Sequence, residues 1–426
     1  MSRPENWSEG NAIERPSLLI VHHFFHPDDV VSAVHFAQFA SGMAKRGWRV
    51  TVLTSNRSCR VPGRSYLAEE TWEGVRIIRV YRPNWDQARP VTRLLNSVWL
   101  MTAWVARTLQ LKRFDAAVVG SDPAFVALMF PVLRSLRRAR VLAHWCYDVF
   151  PDAIVADRLW GLPRSLAGGF RRLMGRAYRA VDLLVDVGSC MRQRLVPSGG
   201  SPRRETLVPW ALSEPDSIPV PDAVTRSALF GEARLGLLYS GNLGRAHRYE
   251  VFLDLARACR AAGVDAAFCF ACRGYRADEL RRAVAGSNAN VRLAPFISEE
   301  ALERHLGAAD VHLISLKPEW SGLVVPSKFF GSLAVGRPVL YDGPEDSAIA
   351  TWIRELGVGA VLTSDNVGDV MTWLDQMSRD PEGLKQYQRR AFCVYHEQFN
   401  RDRIVDAWDR LMHEQLAEKA EPGYRT

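Results

Sequence analysis

The sequence predicts an α/β protein built as two doubly wound, parallel-sheet halves in tandem. Three observations carry this. Short apolar runs alternate with helical patterns through 18–187, the strand–helix–strand order that yields a parallel sheet with helices on both faces. The alternation breaks over 197–221, which holds Pro197, Pro202, Pro209, Pro215, Pro219 and Pro221 among glycines and serines, a boundary composition. It then restarts at Leu235. With 426 residues, 47% of them hydrophobic, each half can bury a core of its own.

In the first half, strands are expected at 18–21, 50–53, 75–80, 116–119, 141–144 and 183–187. Helices are expected at 32–46, 94–111 and 166–181, the first ended by Gly47 in the usual C-terminal position. In the second half, strands are expected at 235–239, 266–271, 291–293, 311–316 and 339–340. Helices are expected at 249–262, 278–285, 299–309, 328–335 and 346–355, and 367–419 reads as almost wholly helical. The expected division is a polar segment 1–16, domains 17–210 and 211–395, and a terminal helix and tail 396–426. Two such halves set their ligand crevices face to face, so the cleft between them is the expected site.

The formal net charge is +8, mostly from arginine. A basic balance suits phosphates, anionic membranes or nucleic acid, and equally an arginine-rich solvated surface. No zinc finger, RNP motif or basic-aromatic stripe points to nucleic acid. Seven scattered cysteines fit a reducing compartment, and Cys269 and Cys272 lie in an apolar run that reads as core. The segment 1–16 is too polar for a signal peptide, and 94–111 is too short and too polar for a membrane span. The expected location is the cytoplasm, with possible peripheral contact to an anionic inner membrane face through Trp99, Trp104, Arg107, Arg171 and Arg172.

Five stretches can carry chemistry. In 239–247, Gly241 and Gly244 allow close backbone approach and Arg245 can neutralise phosphate, although a glycine turn after a strand is also ordinary architecture. In 322–328, Pro326, Ser327 and Lys328 open a helix whose free amides, hydroxyl and ammonium suit a diphosphate. A lysine there opposes the helix dipole, which disfavours a purely structural role. The turn 336–340 is architecture. In 144–152, His144 and Asp148 can serve an acceptor hydroxyl, or be a satisfied histidine and a turn aspartate. In 22–33, His22, His23 and His26 lack zinc spacing, so an acceptor or donor loop with Ser32 as helix cap is expected.

These residues, in this order and spacing, resemble glycosyltransferase family 4, of the GT-B fold. "YSGNLGRAH", "LISLKPEWSGLVVPSKFFGSLAVGRPVL" and "ATWIRELGVGAVL" carry the resemblance, with "HWCYDVFPD" and the histidine loop, across 17–399. They are most similar to the branch of bacterial capsule and exopolysaccharide transferases. The resemblance implies two Rossmann-like domains, a terminal helix crossing back to the first, and a retaining enzyme that needs no metal and no cofactor. Its substrate would be a UDP-, GDP- or other nucleoside-diphosphate sugar, and its acceptor a glycan or polyprenyl-linked molecule. Carried over, Gly241, Asn242, Gly244 and Arg245 line the diphosphate, with Ser327 and Lys328 opposite. Gly322, Leu323 and Val324 meet the sugar, and Pro295, Phe296 and Ile297 the base. His144 and Asp148 lie near the reacting carbon, and His26, Ser32 and Ala33 near the acceptor. One departure stands out: many members carry a ribose-binding glutamate three residues after the lysine, where this chain has Gly331, with Glu319 as the nearest substitute. The rival readings are a nucleotide-sugar epimerase or hydrolase on the same architecture, and a non-catalytic nucleotide-sugar-binding protein.

Overall fold

The computed structural model describes residues 15–61, 63–86, 89–157, 164–196, 202–285, 290–297 and 301–420. Most of the polar segment 1–16, residues 197–201 of the proline-rich stretch, the start of the helix expected at 299 and the tail 421–426 lie outside them.

The first sheet has eight strands: β1 (Ser17–Val21), β2 (Arg49–Ser55), β3 (Glu69–Trp72), β4 (Val75–Val80), β5 (Phe114–Val119), β6 (Ala139–Trp145), β7 (Leu183–Asp186) and β8 (Arg203–Thr206). Their order is β3-β4-β2-β1-β5-β6-β7-β8, parallel except for the edge hairpin β3–β4. The central strands are buried end to end, as apolar runs such as Leu18 to Val21 require. Helices α1 (Val31–Lys45), α2 (Pro90–Gln110), α3 (Met129–Ser135), α4 (Asp152–Asp157), α5 (Arg164–Tyr178) and the single turn α6 (Ser189–Arg192) connect them. Two expectations need correction here. The proline-rich stretch is not all linker, because Arg203 to Thr206 pair in register with Leu183 to Asp186. Ser32 does not cap α1, whose N-cap is Val30 without a side-chain bond.

The second sheet has six parallel strands in the order β11-β10-β9-β12-β13-β14. These are β9 (Leu235–Asn242), β10 (Ala266–Arg273), β11 (Val291–Ala294), β12 (Val311–Ser315), β13 (Val339–Asp342) and β14 (Gly359–Leu362). Helices α7 (Ala223–Phe230), α8 (Glu250–Ala261), α9 (Ala277–Val284), α10 (Leu302–Gly307), α11 (Lys328–Ala334) and α12 (Ala348–Leu356) flank it. The chain ends in α13 (Val367–Arg379), α14 (Pro381–Val394), a π turn at Tyr395–Phe399, and α15 (Arg401–Glu418).

α15 crosses back to the first domain. Trp408 is fully buried there, with ring centroids 5.3 Å from Phe39 and 5.2 Å from Trp145. Trp48 Nε1 donates to Asp409 at 2.7 Å and Arg46 Nε to Asp406 at 2.7 Å.

The two domains also touch directly. Val149 N donates to Leu323 O at 3.1 Å. At Gly322, φ is +72° and an added Cβ would stand 2.5 Å from Cys190 O; at Gly188 it would stand 2.9 Å from the Ala348 side chain. Both glycines permit the closure. Gly322→Ala is therefore expected to cost about 1–3 kcal/mol through its backbone conformation and that clash. A thermal melt should show the loss, together with weaker donor binding, since the closed arrangement is what it disfavours.

Candidate active site in the interdomain cleft

A cavity of about 880 Å³ lies between the domains, walled by residues of both. On its second-domain side the end of β9 brings the backbone close. Gly241 has φ +114°, and a Cβ there would meet Lys328 Cε at 3.1 Å. The glycine thus makes room for the lysine. Lys328 Nζ donates to Asn242 O at 2.9 Å and sits 5.1 Å from the Tyr239 ring centroid. Burial lowers its pKa from 10.5 to about 8. The helix it opens, α11, is only seven residues long and its N-cap Ser327 makes no side-chain bond. The dipole expected from a full helix is therefore modest, and the ammonium supplies most of the local positive charge.

Arg245 lines the same cavity and reaches across it. Its guanidinium stacks 3.6 Å from the Tyr275 ring centroid, and its Nε is 3.3 Å from Asp157 Oδ1 at the end of α4. Burial raises the Asp157 pKa, with Arg245 working the other way. A diphosphate would present more negative charge to Arg245 than this single, largely buried carboxylate does, so the pair can open toward a ligand. Further along, the Arg273 guanidinium lies 3.7 Å from the Phe296 ring centroid, with Ile297 beside it in the wall. The Asp29–Arg60 ion pair of the first domain lines the same cavity. His247 is held by Ser315 O at 2.5 Å, and burial followed by the Lys328 charge lowers its pKa to about 3, so it is neutral.

The first-domain motif divides into two different residues. His144 is a core residue, which corrects its expected place at the reacting centre. It is 2% exposed, its Nδ1 bonds Val119 O at 3.0 Å, and it packs on Phe130 and Tyr178. Burial lowers its pKa to about 4. Alternation along β6 explains this, since His144 points into the helical layer. Asp148 lies beyond the strand, half-buried at the domain junction, where its N donates to Ser121 Oγ at 3.2 Å. Burial, then the neighbouring Asp122, raises its pKa to about 7. Burial pushes the Asp122 pKa up most, but the interactions with His23, His22 and Arg93 together bring it below the usual carboxylate value. Arg82 donates to His23 Nε2 at 3.2 Å, so the ring proton sits on Nδ1 and goes to Asp122 at 2.9 Å.

Among the expected site residues, Gly241, Asn242, Gly244, Arg245, Phe296, Ile297, Val324, Ser327 and Lys328 line the cavity. The others stand elsewhere among the described residues. Gly322 and Leu323 form the domain contact behind the wall. Pro295 is exposed beyond β11, and Glu319 is exposed on a 3₁₀ turn, so it does not replace the family glutamate. Gly331 lines the cavity with only Leu306 near its would-be Cβ, at 3.9 Å. His26 stacks on Trp72 at 4.3 Å beside a second, smaller cavity, while in the first turn of α1 Ala33 is fully buried and Ser32 half-buried. Sequence reasoning missed Asp157, Arg273 and the Asp29–Arg60 pair. Each is an ordinary charged residue in its own segment, and only the facing domain gives it meaning.

Residues 32–211 match the model of the glycosyl transferase 4-like domain. The first domain is therefore similar to glycosyl transferase 4-like domains. A probable glycosyltransferase of Pseudomonas aeruginosa, WbjE, is 28% identical over 261 residues, 60% of this chain and 64% of that protein. The chain thus spans less than two thirds of that curated relative. Among solved structures, sucrose-phosphate synthase from Thermosynechococcus elongatus superposes with a TM-score of 0.69 at 14% identity, over 95% of this chain and 100% of that one. The starch synthase IV catalytic domain from Arabidopsis thaliana, bound to ADP and acarbose, gives 0.66 at 12%, over 94% and 99%. WaaG, a glycosyltransferase involved in lipopolysaccharide biosynthesis, gives 0.60 at 14%, over 93% and 99%. At these identities the likeness is one of fold. The chain has the GT-B architecture of two Rossmann-like domains around a cleft.

Proposed function

We propose that the chain is a retaining glycosyltransferase that moves a sugar from a nucleoside-diphosphate sugar to a glycan or lipid-linked acceptor in cell-surface polysaccharide synthesis. The observation that carries this is the meeting of Lys328, Arg245 and the positive-φ backbone at Gly241 on one wall of the cleft. Two cations and a close backbone suit a pyrophosphate. In this reading the first domain's acidic group is Asp148, which stands beside the Val149–Leu323 domain contact and outside the cavity wall.

In this reading the ammonium of Lys328 and the guanidinium of Arg245 stabilise the negative charge that grows on the diphosphate as the anomeric bond breaks. Lys328 is held in place beforehand by its bond to Asn242 O, and Arg245 turns to the diphosphate from Asp157, in a cleft walled by both domains. Asp157 releases Arg245 when the donor enters. Retention follows if the acceptor hydroxyl attacks from the face that the diphosphate leaves, the new bond to the anomeric carbon forming as the bond to the diphosphate breaks. Asp148, ionised, accepts that hydroxyl's hydrogen bond and takes its proton. Charge compensation by side chains leaves this chemistry without need of a metal. The protein would work at the cytoplasmic side of the membrane.

A thermal-shift panel of UDP- and GDP-sugars tests the reading. The right donor at a hundredfold excess over its Kd should add about 2.7 kcal/mol of stability. Turnover should then depend on acceptor. Product formed equally without acceptor would favour a hydrolase or epimerase, and binding without any turnover a non-catalytic protein.

A further inference from the structure

α2 is arranged inside out. Its outer face carries Val91, Leu94, Leu95 and Val98 at helical spacing, 70%, 42%, 49% and 48% exposed, with Trp99 beside them at 43%. Its inner face buries Asn96 and Ser97 among Leu100 and Trp104. Neither amide atom of Asn96 has a partner among the described residues. Packing against the domain alone would favour the opposite choice, leucines in and the amide out. A contiguous apolar face of this kind marks an interaction surface.

Charge says what covers it. α2 packs on α3, and α3 on α5, all on the sheet face opposite α1 and α15. These three helices contain no Asp or Glu. They do contain Arg93, Arg107, Arg134, Arg171, Arg172 and Arg176. Arg172 and Arg176 are exposed and make no ion pair among the described residues. Arg107, Arg134 and Arg171 pair with Glu69, Asp182 and Asp152 of neighbouring segments, so the free positive charge on this face is that of Arg172 and Arg176, as for a helix lying in an anionic interface. Its aromatic end has the right chemistry too. Trp99 Nε1 donates to Tyr81 O at 2.8 Å, and the Trp85 and Tyr81 rings lie 6.4 and 6.5 Å from it. Amphipathic rings of this type settle at headgroup level. They follow β4, at the strand ends that face the cleft. No helix of the described residues is long and apolar enough to cross a membrane, so the geometry is that of a helix lying flat.

We propose that α2 docks on an anionic bilayer, inserting Leu94, Leu95, Val98 and Trp99 while Arg172 and Arg176 of α5 meet lipid phosphates. Of the side chains first considered for this role, Trp104 takes no part, being fully buried with Nε1 on Thr54 O. The docking would present the cleft to a lipid-linked acceptor, a point that rests on the transferase reading; the docking itself does not.

The full chain is floated with phosphatidylcholine vesicles and with vesicles also containing phosphatidylglycerol, in low and high salt and without donor. The wild type should bind the anionic vesicles in a salt-sensitive way, with a blue shift of tryptophan emission. The double variant Leu94→Glu/Val98→Glu should bind at least about tenfold more weakly, whereas Val224→Glu, on an exposed site 79% accessible in the other domain, should bind as wild type. Unchanged donor binding by the double variant shows that it is folded. No binding to either vesicle, or equal binding by the double variant, overturns the proposal. So does a wild-type dimer in solution that the double variant abolishes, which would make a second copy the occupant. Since vesicle binding is read without donor, its failure leaves the transferase reading standing, and the reverse holds.

Discussion

Lys328→Ala is expected to lower turnover by about 10²–10³-fold, the usual loss for one donor aimed at developing negative charge. The fold should survive. The side chain lines the cavity and, among the described residues, makes a single hydrogen bond, to Asn242 O. Burial already disfavours its charge, which is why its pKa falls to about 8. Removing it thus relieves an unfavourable desolvation and adds space that water can fill, so the melting temperature without donor should hold or rise. With donor the order reverses, because the variant gains less stability from the diphosphate. Lys328→Arg should recover part of the rate, limited by the tight approach to Gly241, whose missing Cβ leaves room for a lysine stem and little more. Near wild-type turnover in the alanine variant would remove the proposed chemistry.

The proposed donor half of the site is encoded in the sequence differently from the proposed acceptor half. Lys328, Ser327, Arg245 and Gly241 fall in two short segments, each at the C-terminal end of a parallel strand or the start of the next helix. Strand order alone brings such segments together, so they were legible from the chain. The same logic found both sheets and the crossing helix, but not the edge strands. Arg203 to Thr206 is half-exposed with charged side chains and carries no apolar period to announce it. Glu69 to Trp72 is similar, a four-residue edge strand joined to β4 by Glu73 and Gly74, both at positive φ. On the first-domain side, His144 and Asp148 share one motif and look equally chemical. Only the pleat of β6 separates them, sending the imidazole into the core and leaving the carboxylate past the strand end. Asp157 and Arg60 were invisible for another reason. Their partners lie in the facing domain or the neighbouring loop, and no local pattern records an ion pair closed by the tertiary fold.

Asp148→Asn is expected to cost about 10²-fold in kcat/KM, at the lower end for a group that handles a reacting hydroxyl, and to change the shape of the pH profile. Two groups bound that profile in the free protein. Asp148, raised to about 7 by burial and Asp122, must be ionised to accept the hydroxyl's hydrogen bond, so kcat/KM climbs as pH rises through 7. Lys328, lowered to about 8, must be protonated to hold the diphosphate, so kcat/KM falls as pH rises through 8. The wild type should therefore show a narrow bell with its maximum between these values. In Asp148→Asn the acid limb should vanish while the alkaline limb stays. In Lys328→Arg the alkaline limb should vanish instead, because the guanidinium does not titrate in that range. Bound donor places a dianion beside Lys328 and raises its pKa, which should carry the alkaline limb of kcat upward relative to that of kcat/KM. An acid limb that persists unchanged in Asp148→Asn would assign it to another group and take Asp148 out of the reaction, leaving the cations of the second domain to carry it without help from the first.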